Sequence, residues 1–371
     1  MRFALTHEQQ ELRAVLRGFL ADHDVTGESR SITEGHAAYS VSTWLAMAAD
    51  LGLQGVDIPE TLGGTGMSAV ELAITLDELG ASLYSGPFLP ASGFAAGALL
   101  EAARPGSSER ILEQLQLLTD GTVMTLAVPA PDGDRSPHAS TITAHSTDSG
   151  WRLTGKVPVV LQADLAEDIL VVATDGMGNA LYAMKASDGR LEELPGLDLS
   201  RKVFGVALRD SPAERLAALT DGMILRMRLR SEVCLAAESL GGARRCLELA
   251  TAYASRREQF GRPIGSFQAV KHRLADLLVE VELATSSVYL AACHLAAGDD
   301  RSAAVSARLA LAMSTTTFAR AARDSVQIHG GIAFTWEHDA HLYSRRAEVS
   351  RVLIGTVDEH LESVYRLTAA G

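Results

Sequence analysis

Hydrophobic periodicity changes twice along this chain, and the two changes limit the folds open to it. In the first hundred residues apolar side chains recur at helical spacing. Leu12, Val15, Leu16, Phe19 and Leu20 share one face, opened by Thr6 and Gln9 as a capping box. Residues 44–51 read as a second helix stopped at Gly52, and Ser68 with Glu71 starts another that closes at Gly80. Between them, residues 55–66 carry Pro59 and the pair Gly63-Gly64, which predicts an exposed loop. Pro87 and Pro90 lead into a helix over 94–102.

From about Thr122 the period shortens to that of strands, over 123–128, 140–144, 151–153, 157–161, 169–174 and 180–184. Asp-Gly and Ser-Gly pairs separate several of these runs and no long helix intervenes. A compact antiparallel sheet or small barrel ending near Pro212 follows. Helical spacing then returns from Leu219 to Leu367, clearest in Phe267, Val270, Leu274, Leu277, Leu278, Val281 and Ala284. The expected class is α+β: an N-terminal helical domain over 1–120, a middle antiparallel β-domain over 121–215 and a C-terminal helical bundle over 216–371.

The densest text lies between two long helical patterns, at Arg257-Glu258-Gln259-Phe260-Gly261-Arg262-Pro263-Ile264-Gly265-Ser266-Phe267-Gln268. Pro263 and Gly265 stop the preceding helix, and Ser266 is placed to cap the next. Arg257 and Gln268 bracket this corner with a permanent cation and a neutral amide, a set suited to phosphate oxygens and a polar heterocycle, and Phe260 adds a flat apolar face.

A formal net charge of −13 argues against nucleic acid or an anionic membrane as partner, since both need a basic face. With 47% hydrophobic and 21% charged residues, the composition is that of an ordinary globular chain. No leader-like apolar run opens it and no stretch of roughly 18 apolar residues interrupts it, so a cytoplasmic location is expected. Cys234, Cys246 and Cys293 fall inside helical patterns and read as buried thiols.

The string Arg257 to Ile264, followed by Phe267 to Asp276, resembles the signature of the acyl-CoA dehydrogenase flavoproteins. A second block, Gln327-Ile328-His329-Gly330-Gly331-Ile332-Ala333-Phe334-Thr335, is similar to that family's other signature. The text Gly55 to Glu60, Gly63 to Gly66 and Asp77 to Gly80 also resembles its N-terminal domain. The resemblance implies helix, sheet and helix blocks, FAD as cofactor, and α,β-desaturation of an acyl-CoA with electrons passed to an electron-transfer flavoprotein. It also implies that Arg257, Phe260, Gln268, Gln327, Gly330 and Gly331 reach a neighbouring subunit's FAD, with Gly355 and Thr356 at the same cofactor site.

The family's usual base is a Glu directly before Gly-Thr near the C-terminus, but Ile354 precedes Gly355-Thr356 here. A branched hydrocarbon cannot take an α-proton. The alternative position on the helix before the first signature is Ser231, and the adjacent Glu232 is one helical step of about 100° away. Pro131-Asp132-Gly133-Asp134 and Lys156-Val157-Pro158-Val159 stand where members often have a Gly-Ser-Asp turn and a Trp beside the flavin. Trp151 is expected in the sheet core instead.

Residues serving a neighbour's FAD are thus kept, while those for proton abstraction are not. The resemblance implies the base-lacking subunit of a heteromeric α2β2 enzyme, such as those of bacterial steroid catabolism, which Phe334 to Tyr343 also resembles. Its alternatives are a homo-oligomer using Glu232 as base, or a scaffold subunit without flavin. Glu337, His338, Asp339 and His341 read as polar packing rather than metal ligands, and Arg345 and Arg346 as interface or helix-face charges.

Overall fold

The computed structural model describes residues 5–103, 109–128 and 141–369. The helices expected near the start are present as α1 (His7–Asp22), α3 (Val41–Ala49) and α4 (Ala69–Ala81), and a further helix not among the expected elements, α2 (Val25–Thr33), follows α1. Both expected capping boxes form, Thr6 with Gln9 and Ser68 with Glu71. A π-helical segment, Leu89–Ala95, runs directly into α5 (Ala96–Ala102), and α6 (Glu109–Thr119) closes the block. Helix α6 is not among the expected elements, although Ile111, Gln114, Leu115 and Leu118 all bury one face at helical spacing.

The loop over 55–66 is not exposed throughout. Val56 and Ile58 are buried in the main core, and a Cβ on Gly64 would lie 2.2 Å from the Ile58 carbonyl oxygen. Glycine is needed there for tight packing, so the turn signal holds while the exposure inferred from it does not.

Among the described residues seven strands form the middle block: β1 (Met124–Leu126), β2 (Thr141–Thr147), β3 (Gly150–Leu161), β4 (Asp168–Asp175), β5 (Gly178–Lys185), β6 (Arg190–Leu194) and β7 (Val203–Ala218). Hydrogen-bonded neighbours run β4-β2-β3-β7-β5, and β5 pairs back onto β4, so the path returns on itself as a small barrel does. The sheet is mixed: β1 and β2 both lie parallel to β4. Strand β7 continues past Pro212 to Ala218, because Pro212 pairs with Arg152 at a position that tolerates its missing N–H. A separate hydrophobic cluster fills this sheet, with Leu153, Tyr182 and Val206 at its centre and Trp151 packed edge-on against Tyr182 at 5.6 Å.

The C-terminal block holds α7 (Asp221–Arg256), a two-stranded hairpin of β8 (Glu258–Gln259) and β9 (Arg262–Pro263), α8 (Gln268–Ala296), α9 (Asp300–His329), α10 (Ala340–Ser350) and α11 (Val357–Ala369). Helices α4 and α7 cross at backbone contact. A Cβ on Gly241 would sit 1.8 Å from the Asp77 carbonyl oxygen, and one on Gly80 would sit 2.0 Å from that of Glu238. The neighbouring Asp77 and Glu78 are buried and held by Arg13, Arg17 and Arg244, which locks α1 and α7 onto α4.

Arg346 is not a surface charge. It is buried, pairs with Asp198, and donates to Ser200 Oγ at 2.5 Å and the Tyr84 carbonyl at 3.2 Å. Burial pushes its pKa down against the opposing pull of Asp198. It ties the approach to β7 to both helical blocks. Arg345 instead lies over the Trp336 ring at 5.6 Å.

Candidate functional site

The corner after α7 is built as a tight hairpin. Phe260 and Gly261 at its tip both take positive φ, 54° and 74°, the combination that a two-residue turn matched to strand twist requires. Glycine takes this without strain, but phenylalanine does not. The side chain gains nothing from burial in return, since Phe260 is 93% exposed and only its edge meets Phe267 at 6.2 Å between centroids.

Ser266 does not cap α8. The N-cap position is Phe267, no side chain bonds there, and the Ser266 hydroxyl has no partner among the described residues. Gly265 has a different purpose from breaking a helix: a Cβ there would lie 2.9 Å from the Ala254 carbonyl oxygen, so its absence lets the corner close against the last turn of α7. Arg262 lies over the Phe267 ring at 4.1 Å, and Arg257, like Arg256 and Arg262, has no carboxylate partner among the described residues. Arg257 and Gln268 are both exposed.

The second block ends α9. Gln327 is exposed on its last turn, and Gly330 adopts φ 67° and ψ −140°, a conformation reserved for glycine. No described atom lies within 4 Å of where a Cβ on Gly330 or Gly331 would stand, so bare backbone faces outward there. Ile332 and Phe334 are exposed beyond it, Phe334 by 78%.

The two blocks emerge side by side. Tyr253, whose carbonyl accepts the Arg257 N–H at 2.8 Å, stacks on His329 at 4.4 Å between ring centroids, and His329 immediately precedes Gly330. His338 also meets His329, at 4.3 Å between ring centroids and tilted by 50°. Neither Tyr253 nor the two imidazoles are legible as partners from spacing alone, because three separate elements bring them together.

The base region is arranged in the opposite way. Ile354 packs against the main core, Gly355 sits at φ 117°, and Thr356 caps α11 through reciprocal bonds with Glu359. Ser231 is buried, with its hydroxyl given to the Met227 carbonyl at 2.9 Å. Glu232 is also fully buried, receiving Arg228 Nε at 2.6 Å, with Arg308 Nε at 3.9 Å and His360 Nδ1 at 3.7 Å. Burial is the largest influence on His360, lowering its pKa despite the nearby carboxylate. The Arg228–Glu232 spacing of four is visible in sequence, whereas Arg308 and His360 arrive from α9 and α11.

The residues resembling flavin-ring contacts divide in two. Residues 131–134 lie outside the described residues, and Val157 to Val160 continue β3 without an aromatic side chain. No helix among the described residues is long and apolar enough to cross a membrane.

Comparison with known proteins agrees with this architecture. Residues 6–116 match the acyl-CoA dehydrogenase N-terminal domain and residues 227–367 the acyl-CoA dehydrogenase C-terminal domain. Acyl-CoA dehydrogenase IpdE2 of Mycobacterium tuberculosis is 33% identical over 357 residues, covering 95% of this chain and 95% of that protein. Among solved structures, a chain of the ChsE4-ChsE5 complex from Mycobacterium tuberculosis superposes with a TM-score of 0.88 at 25% identity, covering 100% of both chains. A chain from a variant of the Tcur3481-Tcur3483 steroid acyl-CoA dehydrogenase gives 0.86 at 27% identity over 98% of each. With nearly its whole length aligned to such relatives and its helix, sheet and helix blocks in their order, this chain belongs to the acyl-CoA dehydrogenase family.

Proposed function

We propose that this chain is the base-lacking subunit of a heteromeric, FAD-dependent acyl-CoA dehydrogenase. It lends a dinucleotide clamp to a related partner that supplies the catalytic carboxylate. The observation that carries this reading is a set of exposed groups on two blocks joined by the Tyr253–His329 ring contact. These are a guanidinium with no carboxylate partner among the described residues, a nearly fully exposed phenyl ring, two exposed amides and bare glycine backbone. Leaving a phenylalanine in water forfeits roughly 2 kcal/mol of burial, and holding it at positive φ adds strain, so the tip is built for a surface outside this chain.

The residues present fit FAD. Arg257 would hold pyrophosphate oxygens, a task for a planar cation with no internal carboxylate. Gln268 and Gln327 would give amide donors and acceptors to the polar parts of the dinucleotide, while Phe260 would cover an apolar face. Gly330 and Gly331 would admit the ligand against the backbone. Bound FAD supplies the acceptor for the β-hydride when the α-proton leaves an acyl-CoA thioester.

The chain's own contribution is binding and orientation. Ile354 offers no lone pair, and Glu232 is engaged by guanidinium groups, so α-proton removal falls to the partner's carboxylate. An electron-transfer flavoprotein would reoxidise the assembly. The steroid acyl-CoA dehydrogenase among its solved neighbours suggests a bulky acyl group as substrate, in a cytoplasmic α2β2 enzyme.

The alternative of a homo-oligomer using Glu232 needs that carboxylate released from Arg228 and turned toward a substrate. Assaying acyl-CoA oxidation with a dye acceptor separates the two. The shared-site reading expects turnover only when this chain is combined with a base-bearing partner, lost on Arg257→Ala in this chain. Turnover by the lone chain, abolished by Glu232→Gln, would establish the alternative.

A further inference from the structure

The two halves of the clamp lie on different helices, α7 and α9, and something must fix their spacing. We infer that His329, in ring contact with both Tyr253 and His338, is the positioning residue that holds the Arg257 hairpin and the Gly330-Gly331 turn in register. This rests on the shared-site reading for its purpose, though the brace itself is a property of this chain.

Three observations build the brace. Tyr253 and His329 are 4.4 Å apart and His329 and His338 are 4.3 Å apart between ring centroids, both pairs tilted, so a chain of ring contacts joins α7, α9 and the segment leading into α10. Two of the rings sit beside what they position: the Tyr253 carbonyl accepts from the Arg257 amide, and His329 immediately precedes Gly330. Arg30 of α2 then fastens the outer end from behind, pairing with Asp339 and donating to the Trp336 carbonyl at 2.7 Å.

The hydrogen bonds also fix both protonation patterns. His329 Nδ1 lies 2.8 Å from the Ser325 carbonyl, which only accepts, so Nδ1 carries the proton. His338 Nδ1 accepts the Ala340 N–H at 3.1 Å and therefore has no proton. Charging His338 would set N–H against N–H at that bond and put a cation beside its neighbouring imidazole. The groups facing it are His329 from α9, Arg30 from α2, Asp339 beside it and His341 from α10; only the carboxylate favours the charge, and it is already paired with Arg30. Burial and His329 accordingly lower the pKa of His338. The brace is intact at neutral pH and fails in acid.

Hydrogen exchange on the full chain tests this without cofactor, following the amides of Arg257, Ile264 and Phe267, whose acceptors are Tyr253, Arg257 and Ile264. At pH 7.5, His329→Ala should speed their exchange about tenfold while leaving the amides of α4 unchanged, and His329→Phe, which keeps a ring at that place, should restore most of the protection. Acidification to about pH 5 should produce the same loss in the unmodified chain beyond the change in chemical exchange, and a His338→Phe chain should resist it. Equal exchange in His329→Ala and unmodified chains, or no rescue by phenylalanine in a variant with native circular dichroism, would overturn the assignment. FAD retention by the assembly is then measured across the same variants. A brace that responds as described in an assembly that never retains FAD would leave this inference standing and remove the shared-site reading.

Discussion

The proposed dinucleotide clamp and the region where the family's base would lie are both built around α7 and α9 but treat charge in opposite ways. At the clamp, Arg257 is exposed with no carboxylate partner among the described residues, Phe260 is 93% exposed, and glycine backbone faces outward. Near the base position, Glu232, Arg228, Arg308 and His360 cluster together, all buried, between α7, α9 and α11. A charge kept in water costs little and is available to a ligand. A charge buried against its opposite is structural, and moving it is expensive. Under the proposed function, the contrast is that of a chain with binding groups facing outward and its buried carboxylate committed to ion pairs.

The comparison breaks most visibly at Glu232. Glu232→Ala would leave two guanidinium groups buried without their carboxylate, at a cost of about 3–5 kcal/mol measured by denaturant unfolding. A cost under about 1 kcal/mol, with lost turnover, would mark a catalytic carboxylate instead. Next in size, Gly241→Ala should cost about 2–4 kcal/mol, because the added carbon meets the Asp77 carbonyl at 1.8 Å and α4 must shift off α7. That experiment separates scaffold from site: FAD affinity in the assembly should suffer only through folding.

At the clamp the expected effects move from stability to binding. Arg257→Ala should weaken FAD retention by the assembly roughly tenfold to a hundredfold, the value of a charge-assisted contact, while changing the stability of the lone chain by less than about 0.5 kcal/mol. A stability loss as large as that of Glu232→Ala would mean that Arg257 is structural.

The smallest expected effect is on pH. His338, His341 and His360 all have pKa values lowered by burial, below the ordinary 6.5. The unfolded chain therefore binds protons before the folded one does. The stability held above about pH 6.5 should fall as pH drops below it, then level off once the folded imidazoles also titrate. His360→Leu would remove that part of the slope arising beside Glu232, and an unchanged slope would show that His360 does not contribute.

Much of this is legible in the chain. The capping boxes at Thr6 and Ser68, the switch from helical to strand period near Thr122, and the turn at Arg257 to Gln268 are local signals, and the structure realises them at the expected places. The illegible part is non-local. Ser266 reads as a cap by type but its hydroxyl finds no partner among the described residues, and Gly265 reads as a helix breaker when close approach to Ala254 is what demands it. Arg346 looks like a helix-face charge until Asp198, 148 residues away, is found beside it. The ring contacts of Tyr253, His329 and His338 likewise exist only because three elements converge.

The central claim is most directly tested by counting flavin per chain. This chain would be purified alone and then together with a base-bearing acyl-CoA dehydrogenase subunit, and FAD absorbance measured against protein in each. Flavin only in the joint assembly, at fewer FAD than subunits, is the predicted result. FAD retained by the lone chain and bleached by an acyl-CoA would contradict it and return the search for a base to Glu232.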